Sequence, residues 1–146
     1  MDINIKRATI QDLQDIEKIE MSLEHKILSS TTLFSTLNEN TYYYFVAKIN
    51  NIVIGYICAE LLVDHFDLIA IAVDNNFRRQ NIATHLINKL LCLCTELKIT
   101  DIFLEVRQNN LSAIKFYENV GFEKISTRKN YYTDTNEDAY IYKKVV

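Results

Sequence analysis

The chain has 146 residues, 49% of them hydrophobic and 24% charged, with a formal net charge of −3. That is the size and apolar content of a single folded domain over residues 1–146, not of a disordered chain. It lacks the basic balance that non-specific nucleic-acid binding needs and any apolar run near the ~18–20 residues of a membrane span. The start MDINIKRATI carries no export pattern, so a cytoplasmic protein is expected, with no nucleic-acid or membrane contact.

From the N-terminus, Ile3 and Ile5 alternate with polar residues and predict a short strand. Thr9 with Asp12 three residues on predicts a capped helix, and Leu13, Ile16, Ile19 and Leu23 keep helical spacing. Ser29 or Ser30 starts a second short helix carrying Leu33, Phe34 and Leu37. Two β-rich runs follow, Tyr42–Ile49 and Ile52–Val63, joined by Asn50-Asn51. Asn tolerates positive φ, so this pair predicts a two-residue type I′ hairpin turn. Gly55 inside the second run marks a bulge or a close backbone approach.

Leu68–Val73 shows no polar alternation, as in a central strand covered on both faces. The helix after it carries Ala83, Leu86, Ile87, Leu90, Cys94 and Leu97 on one stripe. Ile102–Val106 predicts another strand. Asn109 or Asn110 then caps a helix to about Val120, with Gly121 where a left-handed C-cap belongs. Two last strands, Phe122–Arg128 and Ala139–Lys144, flank a polar loop. The order β-α-α-β-β-β-α-β-α-β-β places one parallel pair in a mostly antiparallel sheet, an α/β fold with helices on both faces.

The three cysteines, Cys58, Cys92 and Cys94, read as reduced thiols. Cys92 and Cys94 stand two apart on a helix and face apart, so buried packing is expected and no metal. His25, His65 and His85 show no ligand spacing.

Three features carry chemistry. The stretch LIAIAVDNNFRRQNIATHL (Leu68–Leu86) runs strand, polar loop, helix N-terminus, which is an anion cradle: first-turn N–H groups and the helix dipole both favour a phosphate. Arg78, Arg79 and Gln80 add donors, and Asn81, Ile82, Ala83 and Thr84 open the helix. The same residues also fit a solvated charged turn. Glu105 sits in an apolar strand, on the face of Phe103 and opposite Leu104. It is either part of an exposed sheet face or a general base in a cleft. Tyr117 shares a helix face with Ala113, Ile114 and Val120, as a core tyrosine also would, and Asn110 fits a simple cap.

Taken together, IAVDNNFRRQNIATHLI, FLEVRQNNLSAIKFYENVGF and RKNYYTDTNEDAYIY resemble the Gcn5-related N-acetyltransferase (GNAT) superfamily. Within it they are most similar to the RimI-type bacterial enzymes that acetylate the N-terminal alanine of a small-subunit ribosomal protein. The resemblance implies a GNAT-type sheet whose parallel pair splays at the acetyl-CoA site, acetyl-CoA as donor and no metal. It implies Glu105 as general base and Tyr117 as general acid. It puts the cofactor against Ile71, Ala72 and Val73, the loop from Arg78 through Thr84, and Asn110, and the acceptor against Tyr131 and Tyr132. Two departures stand out. Asn81 and Ala83 replace the family's loop glycines, which brings Cβ atoms toward the phosphates, and the region Ser22–Leu37 lacks the Trp and Pro common in RimI-type chains.

Overall fold

A computed structural model describes residues 2–146. Strand β1 (Asn4–Arg7) leads to helices α1 (Leu13–Met21) and α2 (Ser30–Thr36), then to β2 (Tyr42–Ile49), β3 (Ile52–Leu61) and β4 (Phe66–Val73). Helix α3 (Ile82–Leu97) crosses to β5 (Asp101–Arg107), and α4 (Leu111–Asn119), β6 (Glu123–Tyr132) and β7 (Glu137–Val145) complete the chain. The seven strands form one sheet in the order β1-β2-β3-β4-β5-β7-β6. Every neighbouring pair is antiparallel except β4–β5, whose parallel pairing needs the long crossover that α3 supplies. Helices α3 and α4 pack on one face of the sheet, α1 and α2 on the other. The predicted element order and mixed sheet are therefore both present. Among the described residues no helix is long and apolar enough to cross a membrane.

Local chemistry explains most boundaries. Asn50 (φ 52°) and Asn51 (φ 64°) both sit in the left-handed region, as a type I′ turn requires. Gly55 meets both expectations. Ala47 pairs with Gly55 and Lys48 with Val53, so the register slips beside the glycine. A Cβ on Gly55 would lie 3.1 Å from the Ala72 carbonyl oxygen and 3.2 Å from Ile82 Cγ2, so only hydrogen lets α3 settle this close. The Thr9–Asp12 capping box is formed, with the Thr9 N–H donating to Asp12 at 2.9 Å. Ser29 caps α2 and Asn110 caps α4, each side chain accepting a backbone N–H, from Thr32 and Ala113. Gly121 takes φ 102° after α4.

Several expectations are corrected. Strand β4 is not covered on both faces throughout. Cys58 pairs with Ala70 but Ala59 with Leu68, leaving Ile69 as an extra residue. The bulge swaps the strand's faces: Phe66 and Leu68 belong to the core under α3, Ala70 and Ala72 to the core under α1 and α2. Ile69, Ile71 and Val73 stay half-buried. Helix α1 stops at Met21, so Leu23 lies beyond it, and Phe34 of α2 faces solvent. On α3 the first inward residue is Ile82 rather than Ala83. Leu97 is exposed because the helix closes at Lys98 in the left-handed region. Strand β6 continues to Tyr132, which shortens the expected polar loop to a turn. Of the thiols, Cys58 and Cys94 are buried and Cys92 is exposed; burial pushes them up, Cys58 to about 12 and Cys94 to about 11.

Candidate active site

Strands β4 and β5 pair at only two positions, Phe66 with Ile102 and Asp67 with Phe103, and then diverge. The gap they leave is a cleft of about 2040 Å³. Of the residues the sequence singled out, Ile71, Ala72, Val73, Arg78, Arg79, Asn81, Ile82, Ala83, Thr84, Glu105, Asn110, Tyr117, Tyr131 and Tyr132 all line it. Gln80 does not; it is half-buried outside the cleft lining.

One wall is built mainly from backbone. Past Asp67, β4 has no β5 partner, so one edge of Leu68–Val73 faces the cleft without a sheet neighbour. Asp74 accepts the Asn76 N–H at 2.9 Å and starts a short 3-10 turn at Asn75–Phe77. The chain then enters α3 through two left-handed residues, Arg79 (φ 63°) and Asn81 (φ 61°, ψ 21°). Asn81 makes no side-chain cap, and the first intrahelical bond is from the His85 N–H to the Asn81 carbonyl. The first-turn N–H groups of Ile82, Ala83 and Thr84, residues that line the cleft, precede the first intrahelical bond, an arrangement that favours an anion. Of the two expected glycine replacements, only Asn81 sits in a glycine-favouring conformation. Ala83 already belongs to the first turn of α3, where an alanine backbone is unstrained.

The other wall is built from side chains. On β5, Phe103, Glu105 and Arg107 alternate along the cleft side, with Glu105 exposed to solvent, so any desolvation of its carboxylate comes with bound substrate. Tyr117 projects from α4 and is half-buried beside the rings of Phe116 and Phe122, at centroid distances of 5.6 and 5.7 Å. Burial raises the Tyr117 hydroxyl well above the ordinary tyrosine range, with Tyr132 adding to it. The Glu105 charge raises Tyr131, and burial followed by that same charge raises Tyr132. All three phenols therefore stay protonated at neutral pH. The rings of Tyr131 and Tyr132 meet edge to face at 5.1 Å.

Two parts of the site lie outside the residues singled out as functional: the first falls in the region Ser22–Leu37, which the resemblance puts on the substrate side, and the second is Arg107. The α1–α2 loop, with Leu23, His25 and Ile27, closes one side of the cleft. Glu20, nearly fully buried, holds that loop by accepting the N–H groups of Ile27 (2.9 Å) and Leu28 (3.2 Å) and the Tyr56 hydroxyl. Arg107 also lines the cleft, bound to the β6–β7 turn through Asp134 and Glu137. Strand alternation was a usable signal for Arg107, because it puts the residue on the face of Glu105. Nothing local marks Asp134 or Glu137 as its partners.

Residues 10–122 match the Acetyltransferase (GNAT) family. The N-alpha-acetyltransferase of Saccharolobus solfataricus is 31% identical over 153 residues, covering 96% of this chain and 91% of that protein. The ribosomal protein bS18-alanine N-acetyltransferase of Haemophilus ducreyi is 34% identical over 128 residues, 88% of each chain. The crystal structure of the ribosomal-protein-S18-alanine N-acetyltransferase from Escherichia coli superposes with a TM-score of 0.90 at 28% identity, covering 99% of this chain and 94% of that one. A splayed parallel pair, an uncapped helix start on one wall and a carboxylate and a tyrosine on the other thus coincide with a match across most of the chain: it belongs to the GNAT family of acetyltransferases.

Proposed function

We propose that this chain, acting as one cytoplasmic domain, transfers the acetyl group of acetyl-CoA to the N-terminal alanine amine of a small-subunit ribosomal protein. The observation that carries this reading is the pairing of an anion cradle at Asn81–Thr84 with Glu105 and Tyr117 across the same cleft. Relatives named for bS18-alanine acetylation, similar over 88% of the chain, support the acceptor.

The first-turn N–H groups of α3 hold the pyrophosphate, with Arg78 and Arg79 adding charge and Asn110 a further contact. The open edge of β4 at Ile71–Val73 takes the pantetheine arm and aligns the thioester. An N-terminal ammonium has a reference pKa of ~7.7–8.0, against ~10.4 for lysine, so Glu105 has less work to do on an α-amine. Glu105 accepts that proton, through water, and the freed amine attacks the thioester carbon. Backbone N–H groups near Val73 stabilise the oxyanion that forms. Tyr117, kept protonated by its burial, donates to the departing sulfur, and the phenolate this leaves is reprotonated by the second proton lost from the nitrogen as the amide forms. Tyr131 and Tyr132 flank the acceptor's first residues.

A second reading keeps the chemistry and changes the acceptor to another protein N-terminus, a lysine or a small amine. The S. solfataricus relative is named only for N-alpha-acetylation, and Ser22–Leu37 departs from the RimI pattern where the α1–α2 loop borders the cleft. A non-catalytic acyl-CoA-binding module is the remaining alternative. Incubating the protein with acetyl-CoA and a panel of N-terminal peptides, lysine peptides and free amines, read by mass spectrometry, separates the three. The expected result is one acetyl group on the α-amine of peptides beginning with alanine. Transfer only to lysine or free amines overturns the acceptor, and acetyl-CoA binding without transfer to any of them overturns the enzymatic reading.

A further inference from the structure

We propose that Arg107 is a positioning residue for the acceptor side of the cleft: its fork to Asp134 and Glu137, laid over the Tyr132 ring, holds the β6–β7 turn and, with it, Tyr132 at the cleft wall. This rests on the acetyl-transfer reading above and goes beyond it to a residue that touches neither donor nor reacting atoms.

The contacts are unusually complete for a residue at a cleft. Arg107 Nη1 donates to Asp134 Oδ1 at 3.1 Å, to Thr135 Oγ1 at 3.2 Å and to Glu137 Oε1 at 3.3 Å, while Nη2 donates to Asp134 Oδ2 at 3.1 Å. The guanidinium carbon lies 4.0 Å from the centre of the Tyr132 ring. Glu137 also accepts the Asn109 N–H at 3.4 Å, and His25 Nδ1 lies 3.5 Å from Asp134 Oδ2. One cation thus joins β5 to the β6–β7 turn and the start of β7, while its two carboxylate partners also reach Asn109 and His25.

Exposed ion pairs contribute little on their own. Here the two-pronged contact is to Asp134, whose side chain is 53% exposed, and the shielded contact is to Glu137, with side chains 17% exposed for Arg107 and 11% for Glu137. The planar fork fixes direction as well as distance, which an ammonium cannot do. The sheet does not need the clasp. Strands β5 and β7 pair continuously from Asp101–Val145 to Arg107–Ala139. The weak place is the hairpin tip, where the β6–β7 register breaks between Arg128 and Tyr132 and resumes only at Tyr132–Glu137. Arg107 clamps the segment that carries Tyr131 and Tyr132. Charge follows the same logic. A free guanidinium two residues from Glu105 would repel an incoming ammonium, and Asp134 and Glu137 cancel it.

The test compares wild type with Arg107→Lys, which keeps the charge and loses the fork, and with Asp134→Asn, an exposed change that leaves folding intact. Steady-state kinetics use the peptide that wild type acetylates best; calorimetry gives acetyl-CoA affinity, and thermal melts give stability. The expected result is a peptide KM raised about tenfold in Arg107→Lys and less in Asp134→Asn, with acetyl-CoA Kd within about twofold of wild type. The Tyr132 ring resonances, followed by NMR, should shift in both variants. Unchanged peptide KM in both, with only a lower Tm, overturns the proposal, and so do unmoved Tyr132 resonances. If wild type acetylates no peptide or amine, the acetyl-transfer reading fails, while the NMR comparison still decides whether Arg107 sets the position of Tyr132.

Discussion

The two walls of the cleft are made of different materials. On the β4–α3 wall the working groups are backbone: an unpaired strand edge, two left-handed residues and an uncapped helix turn. On the β5–α4–β6 wall they are side chains: Glu105, Tyr117, Tyr131 and Tyr132, braced by Arg107. Backbone geometry is indifferent to most substitutions and sensitive to those that alter φ or packing. Side-chain chemistry has the opposite sensitivity. One wall is therefore suited to a constant part shared by every acyl-CoA, and the other to chemistry and acceptor choice.

The sharpest division should come from the side-chain wall. Glu105→Gln removes the proposed base and Tyr117→Phe the proposed proton donor, each without changing shape. Each is expected to lower kcat by ~10²–10⁴-fold while acetyl-CoA Kd by calorimetry stays near wild type. Full turnover in both variants on the protein's own acceptor would break the role assignment. A large loss of acetyl-CoA affinity would break the division between walls.

Gly55→Ala attacks the other wall from behind. The added Cβ meets the Ala72 carbonyl oxygen at 3.1 Å, Ile82 Cγ2 at 3.2 Å and Leu86 Cδ1 at 3.4 Å, so β4 or the start of α3 must shift. Overpacking of this kind costs about 1–3 kcal/mol, and Tm should fall by roughly 2–10 °C in a thermal melt. Because the displaced elements carry the cradle, acetyl-CoA affinity should weaken more than peptide KM rises. Equal effects on both substrates would mean that the walls move together.

Asn81 tests the loop by itself. Its φ of 61° is tolerable for Asn and costs nothing for Gly. A β-branched residue there pays about 1–2 kcal/mol, so Asn81→Val should raise acetyl-CoA Kd ~5–30-fold. Asn81→Gly should bind at least as tightly as wild type, with kcat unchanged in both. Tight binding by Asn81→Val would show that the left-handed geometry is dispensable.

What could be read from the residues beforehand follows the same division. Features written in one short stretch were legible: the Asn50-Asn51 turn, the Thr9–Asp12 box, the Asn110 cap and Gly121. Features that need two distant stretches were not. The bulge at Ile69 depends on how β3 pairs with β4, and an all-apolar run carries no mark of where its faces swap. The left-handed Arg79 has no side-chain signature. Nothing in its own stretch marks Glu20, which is buried and accepts the N–H groups of Ile27 and Leu28 from the loop that folds back onto it. The Arg107 clasp joins residues 27 and 30 positions apart. The elements of the proposed cradle thus follow from one stretch, which fits a solvated charged turn as well, whereas the bracing of the other wall appears only with the fold.

The smallest expected effect is in stability at high pH, and it again separates the walls. Burial is the leading cause of the raised hydroxyls of Tyr117 and Tyr142, with Tyr142, which donates to Glu118 at 2.9 Å, pushed up to about 12. Tyr44 and Tyr56, under α1 and α2, are raised by burial as well. Unfolded tyrosine ionises near ~10, so between there and the folded values the native chain holds protons that the unfolded chain has lost. The contribution is complete below about pH 10 and declines as pH rises through the folded values. Urea midpoints measured from pH 8 to 11 should be flat at first and fall beyond about pH 10. Tyr142→Phe and Tyr117→Phe remove groups that ionise and should each make that fall shallower, whatever they do to stability at neutral pH. Asn81→Gly, on the wall that carries none of these phenols, should leave the slope untouched. A slope that Asn81→Gly changes as much as Tyr142→Phe does would mean that alkaline unfolding starts at the cofactor loop, and the two walls could no longer be treated as separate.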